Sequence, residues 1–187
     1  MLDWLAASTG LERIALVLSC HRDDWELPDE DMFKAPEFRS ALLPFTRTLR
    51  TLHLEADHWS PDECASNIAD DAGPFGSLKE FAVLEDLRMR YVHLVQPSTP
   101  DSIHEFKGPL VDILPSSLRN LEVLEIDEDH YPDLLLDLAR LVHGRASFPR
   151  LEQITLYLMN LDKSPLNSLR HEYGTVGIGF RVKAQVF

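Results

Sequence analysis

A short phrase occurs five times along this chain: a leucine, two variable residues, a second aliphatic, one variable residue and a third aliphatic. It reads Leu11–Ile14–Leu16, Leu49–Leu52–Leu54, Leu84–Leu87–Met89, Leu121–Leu124–Ile126 and Leu151–Ile154–Leu156. Successive starts advance by 38 (11 to 49), 35 (49 to 84), 37 (84 to 121) and 30 (121 to 151) residues. Self-similarity on this scale is the mark of a repeat array. Each phrase ends in period-2 alternation, the pattern of a half-buried strand, and the stretches between carry helix signals. A strand–helix unit of this kind buries its apolar face only against its neighbours. The expected fold is therefore an α/β solenoid of about five irregular strand–helix units with a curved parallel sheet, one domain over residues 1–187.

In chain order, residues 1–10 read as an apolar lead-in through Leu2, Trp4 and Leu5 that caps the open end of the array. A first strand is expected at 11–19, followed by a solvated loop over 21–31 with Asp23, Asp24, Glu26, Asp29, Glu30 and Asp31. A helix over Met32–Leu43, interrupted by Pro36, would turn Phe33, Phe38 and Leu42 inward. The second strand is expected at 48–56. Ser60-Pro61-Asp62-Glu63 is a capping box that opens a helix with the stripe Cys64, Ile68, Ala69 and a stop at Gly73. A third strand at 84–92 leads to a loop over 96–109, rich in proline and glycine, and a helical turn at Leu110–Leu114. The fourth strand is expected at 121–127. The clearest helix is Pro132–His143, with Leu134, Leu135, Leu138, Leu141 and Val142 on one face, Asp133 and Asp137 toward water, and Gly144 as its stop. The fifth strand follows at 151–159. A short helix from Ser164-Pro165 through Leu166, Leu169 and Tyr173 ends at Gly174. Residues 176–187 form a terminal edge strand, with Val176, Ile178, Phe180 and Val182 on one face and Arg181 and Lys183 on the other, where their charge discourages edge pairing.

The phrase resembles the leucine-rich repeat. The whole chain is similar to the degenerate leucine-rich-repeat region of large fungal families, often found downstream of an F-box. Four stretches carry the resemblance: Gly76-Ser-Leu78-Lys-Glu-Phe81-Ala-Val-Leu84-Glu-Asp-Leu87, Ile113-Leu-Pro-Ser-Ser-Leu118-Arg-Asn-Leu121-Glu-Val-Leu124, Phe148-Pro-Arg-Leu151-Glu-Gln-Ile154 and Gly177-Ile-Gly-Phe-Arg-Val182. The resemblance implies a substrate-recognition array of ubiquitin-ligase type. The position where common repeats carry a regular asparagine holds Ser19, Asp57, Val92, Asp129 and Met159, so no asparagine ladder is expected. Nor is an F-box: Leu27-Pro28 is followed by acidic residues and by Pro36, which break a helical continuation.

Composition narrows the partner. Asp and Glu number 31 against 18 Lys and Arg, a net charge of −13. That balance argues against surfaces for nucleic acid or anionic lipid, which need clustered cations, and favours a protein partner with a basic surface or segment. No apolar run approaches the ~20 residues of a membrane helix. The two cysteines, Cys20 and Cys64, the absence of a glycosylation sequon and the lack of a secretory pattern point to an intracellular location.

Two constellations have chemical potential. Parallel strands set equivalent residues side by side, roughly 4.8 Å apart. The outward positions form one row of Ala15, His53, Arg88, Glu125 and Thr155, and a second of Val17, Glu55, Arg90, Asp127 and Tyr157. As structure these are ladders of cross-strand ion pairs. As function, His53, Glu55, Arg88, Arg90, Glu125, Asp127 and Tyr157 make a concave, charged face for a protein partner. The second constellation lies six residues past each middle aliphatic: Cys20, His58, His93, His130 and Asn160. His58, His93 and His130 in phase, with Asp57 and Asp129 beside two of them, suit either polar turns bonded to loop backbone or a zinc-type site, as in a metal-binding protein or metal-dependent hydrolase. Trp25 and Trp59 are candidate partner anchors. No nucleophile elbow, phosphate loop or dinucleotide fingerprint occurs, so a non-enzymatic, cofactor-free interaction protein is the expected function.

Overall fold

The computed structural model describes residue 5 and residues 7–19, 33–57, 74–95, 108–126, 128, 130–158 and 162–184. Its centre is a six-stranded parallel sheet in which spatial order equals chain order: β1 (Arg13–Ser19), β2 (Thr51–Asp57), β3 (Asp86–Arg90), β4 (Asn120–Ile126), β5 (Gln153–Leu158) and β6 (Gly179–Ala184). This is the expected α/β solenoid. Between strands run α1 (Ala35–Leu42), α2 (Tyr91–Leu94), α3 (Leu110–Ile113), α4 (Tyr131–His143) and α5 (Leu166–Thr175).

The phrase explains the core. Ile14, Leu52, Leu87, Leu121, Ile154 and Phe180 occupy one register position across the six strands, and the first five are buried. Leu54, Met89, Val123 and Leu156 form a second buried layer, and Leu49, Leu84, Leu118 and Leu151 a third at the strand entrances. Each such side chain contributes ~1.5–3 kcal/mol by leaving water, and only the neighbouring repeats make that possible. Leu5, from the expected lead-in, belongs to the same core.

The fourth repeat is phased differently from expectation. Leu121 pairs with Leu87, so it is the middle aliphatic and the phrase is Leu118–Leu121–Val123, three residues earlier than read. The starts 11, 49, 84, 118 and 151 then advance more evenly, and Gly177 stands at the corresponding place before Phe180 and Val182. A turn before each of β3, β4 and β5 locks this phase. The Leu118 N–H donates to the Pro115 carbonyl at 3.2 Å, as Leu84 does to Phe81 and Leu151 to Phe148. A backbone ladder continues it: Arg50 N–H to Glu12 C=O, Glu85 to Arg50, Arg119 to Glu85, Glu152 to Arg119, all at 2.7–2.8 Å. The side chains on that ladder alternate in sign, with Arg50–Glu85 and Arg119–Glu152 ion pairs both at 2.7 Å.

Helices depart from expectation in instructive ways. Pro36 sits in the first turn of α1, where its missing N–H is not needed, so it starts the helix rather than interrupting it. Phe38 and Leu42 are buried and Phe33 packs against the core. β3 stops at Arg90; Tyr91 and Val92, expected to prolong it, instead open α2, whose four residues are all buried. α4 buries Leu134, Leu138 and Leu141 as expected, but it also buries Asp137, only 3% exposed where exposure was expected. The Asp137 carboxylate accepts from the Tyr91 hydroxyl at 3.2 Å, from Arg140 at 3.2 Å and from the Leu110 backbone N–H that opens α3. Burial raises its pKa above the usual 3.8, a shift those hydrogen bonds and the Arg140 charge oppose. α5 runs one residue past Gly174; it buries Leu166, Leu169 and Tyr173, whose hydroxyl donates to the Leu138 carbonyl at 2.7 Å. The terminal strand begins at Gly179, later than expected, because Gly177 turns the chain in the left-handed region at φ 75°. The 21–31 loop, the Ser60–Glu63 capping box with Cys64, Ile68 and Ala69, and residues 96–107 of the expected loop lie outside the described residues.

Candidate functional site

The sheet face opposite the helices is polar. The observed register makes its central row Ala15, His53, Arg88, Glu122, Thr155 and Arg181. Four of the five residues expected in this row are there; Glu122 stands where Glu125 was expected. A row nearer the strand starts runs Arg13, Thr51, Asp86, Asn120, Gln153 and Gly179. Toward the strand ends, Val17 lies beside Glu55 and Tyr157 beside Lys183.

Arg88 organises the middle of this face. Its guanidinium is 3.1 Å from Glu55 of β2 and 3.6 Å from Glu122 of β4. The same group lies 5.3 Å from the centre of the Tyr157 ring on β5. The Tyr157 hydroxyl donates to Glu122 at 3.0 Å and accepts from Lys183 Nζ of β6 at 3.0 Å. Lys183 Nζ also sits 4.9 Å from that ring centre, so two cations flank one aromatic ring. Cations are attracted to a ring face, each contact adding ~0.5–1 kcal/mol at exposed sites. The result is a cluster that spans β2 to β6, half-buried except at the exposed Lys183, and holds its long side chains in place.

Of the seven residues expected on this face, His53, Glu55, Arg88 and Tyr157 are half-buried there. Asp127 lies outside the described residues. Arg90 and Glu125 are a correction: they are 7% and 6% exposed and form an ion pair with each other. Arg90 stands opposite Leu124, and the ladder to β5 skips from Val123 to Ile126, so Leu124 and Glu125 bulge out of register. Glu125 takes φ 51° at that bulge. Glu122 and Lys183 were missed as site residues. The repeat spacing puts Leu121 at a strand entrance, which leaves Glu122 out of the outward row, and the alternation of the last strand marks Lys183 only as protection of an edge.

Of the histidine column, His93 and His130 lie among the described residues. His93 belongs to α2 and is 1% exposed, its ring 6.0 Å from that of Phe33 and its carbonyl bonded to the Phe75 N–H at 2.7 Å. His130 precedes α4, 6.2 Å from the Tyr91 ring. Among the described residues no group of three or more His, Cys, Asp or Glu side chains is placed to share a metal ion. His58, Cys20 and Asn160, along with Trp25 and Trp59, lie outside the described residues.

A family model described as a leucine-rich repeat domain matches residues 13–185, from the first strand to the end of the last. The chain belongs to the leucine-rich-repeat domain family. No curated protein and no solved structure matches it. Leucine-rich-repeat domains generally mediate protein–protein interaction and are typically non-enzymatic modules. No helix among the described residues of this leucine-rich-repeat domain is long and apolar enough to cross a membrane.

Proposed function

We propose that this leucine-rich-repeat domain recognises a protein partner through the polar face of its sheet, centred on Arg88 and Tyr157. The observation that carries the reading is the Glu55–Arg88–Glu122–Tyr157–Lys183 cluster, which is partly open to solvent and already ordered. Arginine and tyrosine are the residue types that dominate binding hot spots, and side chains held in place lose less entropy on association. The net charge of −13 supports a partner with a basic surface or segment, because the field of the whole chain attracts such a group at long range.

The finer reading, substrate recognition of ubiquitin-ligase type in an intracellular setting, is supported by the resemblance to repeat regions that follow an F-box. Affinity capture with wild type and with Arg88→Ala/Tyr157→Ala tests the face, provided thermal melts show both proteins folded. Loss of the same captured proteins with the double variant is the expected result; equal recovery from two folded proteins sinks it. For the ligase reading, the captured proteins should accumulate in cells depleted of this chain, and unchanged levels argue against it.

A further inference from the structure

We propose that a depression on the polar face, between β1 and β4, receives one basic side chain, arginine or lysine, of the protein partner. This rests on the reading that the face binds a protein, and it names the chemistry of one contact. The depression measures about 270 Å³; its polar lining is Arg13, Thr51, His53, Asp86, Asn120 and Glu122, and Leu87 completes it. That is below the ~300–1,000 Å³ of drug-sized ligand sites and suits a single long side chain.

The bonding around it favours a cation. Asp86 accepts from the Asn120 side-chain amide, a neutral donor. Glu122 accepts from the Tyr157 hydroxyl at 3.0 Å, with Arg88 3.6 Å away. An ionised carboxylate offers about four acceptor sites, so both acids keep capacity toward the depression. Thr51 adds a hydroxyl oxygen and His53 a ring nitrogen. Arg13, on the β1 wall, is the opposing charge. An entering guanidinium or ammonium meets two carboxylates and the Arg13 cation in the lining, with Arg88 beside Glu122, within a chain of net charge −13, and Asp86 is the carboxylate bonded there to a neutral amide. Lysine or arginine also brings an apolar stem that covers the rim while its head bonds below.

The test is a nuclear magnetic resonance titration of the full chain with three capped tripeptides: Gly-Arg-Gly, Gly-citrulline-Gly and Gly-Glu-Gly. Citrulline keeps the shape of arginine and removes its charge. Gly-Arg-Gly should shift the signals of Thr51, His53 and Asn120 saturably, while the other two leave them in place. Asp86→Asn should weaken the arginine titration roughly tenfold, the size of one charge-assisted contact. Arg13→Gln should tighten it, since it removes the like charge. Equal responses to the arginine and citrulline peptides, or shifts confined to other residues, overturn the proposal. Should Asp86→Asn not fold, judged by the dispersion of its spectrum, Arg13→Gln decides: no gain in affinity overturns the pocket. Failure here with continued loss of capture by Arg88→Ala/Tyr157→Ala rejects the pocket and leaves the face standing. Undiminished capture by that double variant rejects the face itself.

Discussion

Arg90 and Glu125 form a buried ion pair although the sheet does not set them opposite each other. Arg90 of β3 faces Leu124, and the bulge in β4, with Glu125 at φ 51°, accompanies the pairing of that carboxylate with the guanidinium. Removing one partner of a buried pair strands the other charge at a cost of ~3–5 kcal/mol. Glu125→Lys should therefore unfold the domain or lower its urea midpoint sharply. Glu122→Gln, at a half-exposed position on the same strand, should cost no more than ~1 kcal/mol. Similar midpoints for the two variants would contradict the burial of the pair.

Leu87 holds the middle position of a central repeat, in register with Leu52 and Leu121 and within the buried core. Its replacement by Ala should cost ~2–5 kcal/mol, because repeats on either side cannot close the cavity. Equilibrium urea unfolding measures this, and a change below ~1 kcal/mol would place the core elsewhere.

Asp137 links α4 to α2 and α3 through Tyr91 and Leu110. Replacement by Leu leaves a buried hydroxyl and a buried N–H without this acceptor, at ~1–3 kcal/mol. The pH dependence has a defined sign. Burial raises the folded-state pKa above 3.8, so the protonated carboxyl is the form the fold prefers. The stability it contributes is present below the unfolded value and is lost as pH rises through the folded one. Asp137→Asn does not titrate and keeps an acceptor. Its melting temperature relative to wild type should improve as pH rises from below 3.8 toward neutrality. A relative melting temperature that falls over this interval would reverse the assignment.

Glu12, Arg50, Glu85, Arg119 and Glu152 alternate in sign along the strand entrances, with Arg119 paired to Glu152. Arg119→Glu sets three acids in succession. It should lower the melting temperature in low salt, with the difference shrinking in high salt as screening shortens. Adding Glu152→Arg to it should recover most of the loss. A penalty that is independent of salt would mean that Arg119 matters through packing of its stem.

Period-2 alternation reports local burial, so it sets the inward aliphatics of the first, second, third and fifth repeats in phase, and the stripe of α4 with its Pro132 and Gly144 boundaries marks that helix. On the polar face, His53, Glu55, Arg88 and Tyr157 followed from the same count. The fourth repeat did not. Leu118, Leu121 and Leu124 are spaced by three, so two overlapping phrases fit the alternation equally well.

Spacing along the chain is enough to specify the strand–helix repeat and the leucine layers of every repeat but the fourth. Tertiary structure alone decided the phase of β4, through the pairing of Leu121 with Leu87 and the Leu118 turn onto Pro115. That choice moved Glu122 into the row of Arg88 and left Glu125 at the bulge, where it pairs with Arg90. It also took neighbouring elements to bury Asp137 against Tyr91 and α3. The physical reason is common to these cases: a charged side chain is buried when other parts of the chain supply its partner. Those partners lie 46 residues away for Asp137 and Tyr91, beyond any local pattern.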